Sequence, residues 1–273
     1  MDLGILSQRL RRSLNSSGYG GFTPKTGTPT PITRGCGLKI IRYKRISSTN
    51  TKAKTLAEKQ AAEWTVVVSE VQTQGRGRSG RSWKSPNGGL WFSLIIRPKI
   101  PVDRIPLLQF FFANALRKGI EEVNGVQSEV KWPNDIVVDG KKLAGVLIET
   151  KVSGPELVYA IVGIGLNVNL TAEQLPTGAT SIFLVKRKRF SLEKTLSSIL
   201  PVLERHYETL RDESAVVGDW WKHCAHRMKP VLIETGNGKI RGKCVGVNPD
   251  GSIIIQTDHG NLTIPDGTLR LNA

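Results

Sequence analysis

Residues 72–83 read Gln72-Thr73-Gln74-Gly75-Arg76-Gly77-Arg78-Ser79-Gly80-Arg81-Ser82-Trp83, and they lie between two apolar runs, Thr65–Val71 and Leu90–Arg97. Gly75, Gly77 and Gly80 have the spacing of a dinucleotide-binding fingerprint. That fingerprint requires a helix opening at the third glycine and an acidic residue about 20 positions on. Here Pro86, Gly88 and Gly89 follow instead, and then a strand-like run. A dinucleotide fold is excluded, and with no GxxxxGK[ST] sequence anywhere in the chain a P-loop is excluded too. What remains is a flexible loop with three guanidinium groups. Its glycines let the backbone approach a phosphate, and its arginines offer planar, permanently charged donors to phosphate oxygens. The same composition also fits an Arg/Gly segment that binds RNA without sequence preference, or a solvated loop.

Outward from this loop, strands and helices interleave. Alternating and apolar runs predict strands at Leu38–Ile46, Thr65–Val71, Leu90–Arg97, Val130–Trp132, Gly145–Lys151 and Leu157–Val168. Helices are predicted near Thr51–Glu63, Asp103–Val123, Leu192–Glu213 and Val217–Met228. The main body is therefore an α/β domain. From Lys229 the apolar runs become short and are separated by Asn237-Gly238, Asp250-Gly251 and His259-Gly260, which predicts a small all-β module, a compact barrel without catalytic features.

Composition fits this picture. Of 273 residues 39% are hydrophobic, and 39 Lys and Arg face 23 Asp and Glu, a formal excess of 16 positive charges. Such an excess favours an anionic partner, whether nucleic acid, a phosphate-bearing small molecule or an acidic protein. No apolar run approaches the roughly 18 residues that cross a bilayer, so a soluble protein without a membrane partner is expected. Cys36, Cys224 and Cys244 are odd in number and widely spaced, which signals neither a disulfide framework nor zinc. Residues 1–37 stand apart. From Ser13 to Gly37, 17 of 25 residues are Ser, Thr, Gly or Pro, a composition that cannot offset its conformational entropy by burial, and a disordered basic segment is expected. Asp2 is the only acidic residue before Glu58, as in an organelle transit peptide.

Four other stretches could carry chemistry. Lys131-Trp132-Pro133-Asn134-Asp135 sets a lysine at a strand end, where it could offset charge on a phosphoryl group or simply be solvated. In Gly140-Lys141-Lys142-Leu143-Ala144-Gly145, Lys142 either adds charge near a phosphate or caps an edge. Gly163-Ile164-Gly165-Leu166-Asn167 puts Gly163, Gly165 and Asn167 on one strand face, against which a ligand or another backbone could lie. Ser48-Thr49-Asn50 reads as a helix N-cap that could also hold a small polar ligand. His223, Cys224 and His226 lack distant partners and read as helix surface rather than a metal site, and Lys186–Arg189 reads as a solvated loop.

Taken in order, GRGRSGRSW at 75–83, KWPND at 131–135, KKLAG at 141–145 and GIGLN at 163–167 make the chain resemble the biotin protein ligase family from about Leu38 to the end. The resemblance implies a mixed-sheet catalytic domain of the class II synthetase-like type over residues 38–228, followed by an SH3-like domain over 229–273. It implies that biotin's carboxylate attacks the α-phosphate of ATP to give biotinyl-5′-AMP, and that a lysine of a biotin carboxyl carrier protein of acetyl-CoA carboxylase then takes the biotin. ATP would arrive with Mg2+, whose ligands the sequence does not identify.

Carried over position by position, Ser48, Thr49, Asn50 and Gln72 would hold the ureido head. Arg76, Gly77 and Arg78 would lie in the loop over the adenylate, with Gly75 and Trp83 at its ends and Arg81 reaching toward pyrophosphate. Lys131 would be the central catalytic residue, with Arg76 and Arg78 also catalytic, Lys142 assisting at the phosphates, and Asn134 and Asp135 substrate-binding. Gly163 and Gly165 would leave space along the biotin pocket, Gly145 and Asn167 would also be substrate-binding, and Trp220 or Trp221 would cover the adenine. Members that also repress transcription carry a winged helix of about 60 residues before the catalytic domain. Only 37 residues precede it here, so no DNA binding is expected. A cytoplasmic enzyme is expected, or a plastid or mitochondrial one if residues 1–37 are a transit peptide, and the likeness admits a homodimer. The competing readings are a lipoate or octanoate ligase of the same fold and a basic RNA-binding module. Against the first stands the GRGRSGR loop, and against the second the lack of aromatic stacking partners other than Trp83.

Overall fold

In the computed structural model the described residues are 31–33, 38–236 and 238–271. Eight strands form one mixed sheet: β1 Pro31–Thr33, β2 Lys39–Ile46, β3 Thr65–Gln72, β4 Leu90–Ile96, β5 Glu129–Lys131, β6 Asp135–Val138, β7 Lys141–Ser153 and β8 Glu156–Leu166. Their order is β1-β2-β3-β4-β8-β7-β6-β5. Only β2 and β3 run parallel, joined by the crossover helix α1, Thr49–Glu58; the other neighbours are antiparallel.

Period-two alternation divides this sheet into two chemically different faces. On β4, Leu90, Phe92, Leu94 and Ile96 join the large core beneath helix α2, Ile105–Asn124. Trp91, Ser93 and Ile95 must then face the other side, where Ile95 packs with Ala53 and Ala57 of α1 in a smaller cluster. On β8 the core face carries Ala160, Val162, Ile164 and Leu166, which leaves Ile161, Gly163 and Gly165 on the α1 side. Register sets Ser93 opposite Gly163 and Trp91 opposite Gly165, and on the next strand Leu147 opposite Gly163 and Gly145 opposite Gly165. The α1 face is therefore thin where three glycines adjoin, and α1 covers only one end of it. That hollow is the site.

Helices α3, Ile182–Lys186, α4, Leu192–Arg205, and α5, Glu213–Lys222, complete the domain, with α4 and α5 packed on α2. The helix predicted to run unbroken from Leu192 to Glu213 is divided because Asp212 caps α5, accepting from the Ala215 N–H at 3.0 Å. The predicted Val217–Met228 helix stops at Lys222, and residues 223–226 bend back so that Val130 pairs with Cys224. α1 ends at Glu58 rather than Glu63, with Gln60 in the left-handed region at φ 59°.

The remaining strands, β9 Pro230–Thr235, β10 Gly238–Val247, β11 Ile253–Thr257, β12 Gly260–Ile264 and β13 Thr268–Leu271, form a five-stranded antiparallel sheet in the order β12-β11-β10-β9-β13. One expectation about the N-terminal segment needs correction. Residues 31–33 pair antiparallel with β2, so the unstructured segment expected up to residue 37 fails there. Backbone pairing at a sheet edge asks nothing of side-chain burial, and proline is tolerated at the start of an edge strand. Residues 1–30 and 34–37 lie outside the described ones.

Candidate active site

The hollow on the α1 face is a cavity of about 960 Å³, its open mouth included, and it gathers residues from six segments of the main domain and one of the C-terminal module. Ser48, Thr49 and Asn50 enter at the start of α1, Gln72 at the end of β3, and Arg76 to Trp83 from the arginine loop. Lys131 to Asp135 come from the β5–β6 turn, Lys142 and Gly145 from β7, and Gly163 and Gly165 from β8. Among its lining residues are five cationic side chains, Arg76, Arg78, Arg81, Lys131 and Lys142, and a single carboxylate, Asp135. Such a site attracts anions.

The floor is a hydrogen-bonded polar row. Thr49 donates through its N–H at 2.7 Å and its hydroxyl at 3.0 Å to Gln72 Oε1, and Gln72 Nε2 donates to Ser85 Oγ at 2.8 Å. Ser93 Oγ lies 2.7 Å from Thr49 Oγ1 and 2.6 Å from Asn50 Oδ1, and its one proton can serve either. Ser48 occupies the N-cap position but makes no side-chain cap bond, which leaves its buried hydroxyl facing the cavity. Thus the expected N-cap role is not what occupies this residue.

The glycines of β7 and β8 serve protein side chains before any ligand. A Cβ on Gly163 would meet Asn50 Oδ1 at 2.1 Å, and one on Gly165 would meet the Trp83 indole at 2.5 Å. Trp83 also lies 3.0 Å from where a Gly145 Cβ would stand, and the Lys142 ammonium sits 4.7 Å from its ring. What packs on the glycines of GIGLN is not another backbone segment but the side chains of Asn50 and Trp83, which themselves line the cavity. We expect Gly163→Ala to displace the anchored Asn50 amide and raise the KM for the ligand held there about tenfold, the worth of one lost buried hydrogen bond, with kcat little changed. Steady-state kinetics with that ligand varied would check this, and an unchanged KM would count against Asn50.

Lys131 and Asp135 are cross-strand partners in the β5–β6 hairpin, whose turn contains a cis Trp132–Pro133 bond. Asp135 also lies 2.7 Å from the Lys142 ammonium, so one carboxylate stands between two cations. Burial lowers the Lys131 pKa, with Lys142 and Arg270 adding to the effect and Asp135 opposing it. A cation whose charge is costly in its resting surroundings binds an incoming anion strongly.

The arginine loop is a closed hairpin rather than a free segment. Trp83 N–H donates to Gly75 O at 2.8 Å, Gly77 N–H donates to Arg81 O at 2.7 Å, and the turn passes through Ser79 and Gly80 at positive φ. Its arginines have three different partners: Arg76 on Glu149 at 2.9 Å, Arg78 on Asp266, and Arg81 on the Thr268 hydroxyl at 2.8 Å. The last two belong to the C-terminal module. Gly267, Thr268 and Leu269 line the cavity, so the module expected to carry nothing of the site forms one of its walls. Trp132 Nε1 donates to Gly251 O at 2.9 Å and ties the lysine turn to the same module.

Other expected residues stand elsewhere. Gly75 is buried at the base of the loop, where a Cβ would lie 2.4 Å from Trp83 O, and it does not line the cavity. Asn167 falls just beyond the end of β8 and donates to Thr180 O at 2.9 Å, which anchors the segment before α3. Trp220 is fully buried against Phe110, ring centroids 4.6 Å apart, and cannot cover an adenine; Trp221 does not line the cavity either.

Nor is the His223/Cys224/His226 stretch helix surface. Cys224 and His226 are buried, His223 Nδ1 donates to Asp219 O on α5 at 2.9 Å, and among the described residues no group of metal-binding side chains forms. Burial, with help from Lys131 and Lys229, lowers the His226 pKa from 6.5 to about 3. The folded protein then binds fewer protons than the unfolded chain between those values, so stability is present above pH 6.5 and is lost as pH falls below it. We expect a loss approaching about 1.4 kcal/mol per pH unit, absent in His226→Gln, by denaturant unfolding at stepped pH. An identical acid limb in both proteins would refute this.

Residues 43–167 match the biotin/lipoate A/B protein ligase family, and residues 229–268 match the biotin protein ligase C-terminal domain. A Bacillus subtilis protein named bifunctional ligase/repressor BirA is 34% identical over 231 residues, spanning 82% of this chain and 71% of that one. A Paracoccus denitrificans protein named biotin-[acetyl-CoA-carboxylase] ligase is 30% identical over 231 residues, spanning 81% of this chain and 95% of that one. Among solved structures, a biotin protein ligase from Aquifex aeolicus in complex with biotin and ATP superposes with a TM-score of 0.72 at 29% identity, covering 85% of this chain and 99% of that one.

Proposed function

The chain belongs to the biotin protein ligase family, and from that membership and the shape of its cavity we propose how it joins biotin to a carrier-protein lysine at the expense of ATP. A carboxylate oxygen of biotin attacks the α-phosphorus, the bond to the bridging oxygen breaks, and pyrophosphate leaves. The ε-amine of the acceptor lysine then attacks the acyl carbon of biotinyl-5′-AMP, giving an amide, AMP and a proton. Little of this asks for a protein acid or base. What it needs is positioning, and stabilisation of charge on phosphoryl oxygens.

In this reading Thr49, Asn50 and Gln72 present donors and acceptors to the ureido head, and Trp83 packs beside the fused rings. Lys131 bridges the carboxylate and the α-phosphate, Lys142 supports it across Asp135, and Arg81 faces the departing pyrophosphate. Arg76 and Arg78 close over the adenylate. The observation that carries the reading is the meeting of one neutral polar floor and five cations within a single cavity. A neutral, hydrogen-bonding head and a polyanionic co-substrate need those two surfaces side by side. Magnesium would enter on the ATP phosphates as part of that substrate. The acceptor would be the biotin carboxyl carrier protein of acetyl-CoA carboxylase.

Incubation with ATP, labelled biotin and an acceptor carrier domain should give one labelled lysine, and omission of ATP should abolish it. An equal or faster reaction with lipoate would move the assignment to the lipoate branch. Absence of any acylation would end it.

A further inference from the structure

The hydrogen bonds of the cavity floor do not stop at its edge. Asn50 Nδ2 donates at 2.6 Å to Glu149 Oε2, and the same oxygen accepts from Arg76 at 2.9 Å. At the other end Ser85 Oγ donates to Trp83 O at 3.1 Å. The row that begins on Arg76 thus passes through Glu149, Asn50, Ser93, Thr49, Gln72 and Ser85 and returns to the arginine loop at Trp83. Glu149 is where the loop's first arginine meets the floor.

Glu149 itself does not line the main cavity; it lines a side groove shared with the loop. Its register position, opposite Ile161 on β8, puts it on the α1 face, beyond Leu147. Arg76 lines both the cavity and the side groove, and its guanidinium is paired with a carboxylate that lies outside the cavity. The contact uses one Nη2 donor and turns the guanidinium toward Glu149, so a phosphate in the cavity that engages Arg76 bidentately competes with that carboxylate for it.

We propose that Glu149 is a positioning residue that parks Arg76 until an anionic nucleotide displaces it, while its shared oxygen keeps the Asn50 amide turned toward the ligand head. The proposal rests on the ligase reading and adds to it a competitor for the phosphate. Arg76 and Glu149 have side-chain exposures of 44% and 34%, so the pair is solvent-screened and its worth is small. It should reduce nucleotide affinity by about two- to fivefold, which is the range such pairs contribute. A weak tether of this kind is broken readily once phosphate is present and still biases the resting loop.

The test is calorimetric titration of magnesium-ATP and of biotin into four full-length proteins: parent, Glu149→Gln, Arg76→Ala and the double variant. Glutamine retains an acceptor for Asn50 but not the charge that holds Arg76. Glu149→Gln should therefore bind ATP about two- to fivefold more tightly with biotin affinity unchanged, and the gain should vanish in the Arg76→Ala background. A residue needed only for structure would move both affinities down. Glu149→Asp keeps the charge but shortens the reach, and it too should bind ATP more tightly, whereas simple removal of repulsion predicts no gain from it. A gain that persists without Arg76, or no gain in Glu149→Gln, overturns the proposal. A parent that binds neither biotin nor ATP overturns the ligase reading as well, so the two failures are distinguishable.

Discussion

Lys131→Ala should form biotinyl-5′-AMP about a hundred to a thousand times more slowly than the parent while keeping the fold. The magnitude follows from removing one preorganised donor at the position of developing charge, which contributes about 2.7 to 4 kcal/mol. Two features of the structure argue for the upper part of that range. Burial already lowers the Lys131 pKa, so its charge acts where water screens it poorly. Its neighbour Lys142 stands against Asp135 at 2.7 Å and is not free to replace it. The fold should survive because the alanine relieves a desolvation cost and leaves the β5–β6 backbone ladder untouched. Exchange of labelled pyrophosphate into ATP reads the first step alone, and a rate near that of the parent would refute the assignment. Transfer from added biotinyl-5′-AMP should fall much less, since the phosphoryl step has already been passed.

The site was legible in the sequence to the extent that strand periodicity could deliver it. Gly163, Gly165, Gly145 and Lys131 each sit at a strand end or on an alternating face, and sheet register brings such positions together once the strand order is set. The α1 start followed from its polar triplet. What could not be read depends on contacts across long stretches of chain. Thr268 and Asp266 reach the loop over more than 180 residues and carry no motif, because a single hydroxyl and a single carboxylate suffice to accept from an arginine. Glu149 falls within the Gly145–Lys151 run without any motif of its own, and only the pairing with β8 and its hydrogen bond show it beside Asn50.

Trp220 and Asn167 were misplaced for the converse reason. A tryptophan near a ligand and a tryptophan in a core have the same local sequence, and here Phe110 takes the indole. Asn167 continues the glycine alternation by number, but β8 ends one residue earlier and the side chain is turned to the backbone at Thr180. A strand end ends the rule of twos.

Arg78→Gly should yield an enzyme that still makes the adenylate but loses it to solvent. In the structure Arg78 is the loop's ionic tie to the C-terminal module, through Asp266, while the hairpin itself is closed by backbone bonds from Trp83 to Gly75 and from Gly77 to Arg81. Removing the side chain therefore spares the local turn and removes one of the loop's two side-chain ties to that module, leaving only the Arg81 bond to Thr268. It also removes a cation from the wall facing the phosphate. Lys131 and Arg81 remain, so activation should persist. A charge-assisted contact is worth about 1.5 to 3 kcal/mol, and its loss should speed escape of biotinyl-5′-AMP about ten- to a hundredfold. Asp266→Asn separates the two contributions: it releases the tie but keeps the cation, and its escape rate should fall between parent and Arg78→Gly. Free adenylate is an activated acyl donor that acylates accessible lysines without recognising their surroundings. Mixed with ATP, biotin and an unrelated lysine-rich protein, Arg78→Gly should label that bystander at many sites, Asp266→Asn at fewer, and the parent hardly at all. Equal labelling by all three would mean that the loop and the module wall retain nothing, and that the adenylate is held from the floor of the cavity alone.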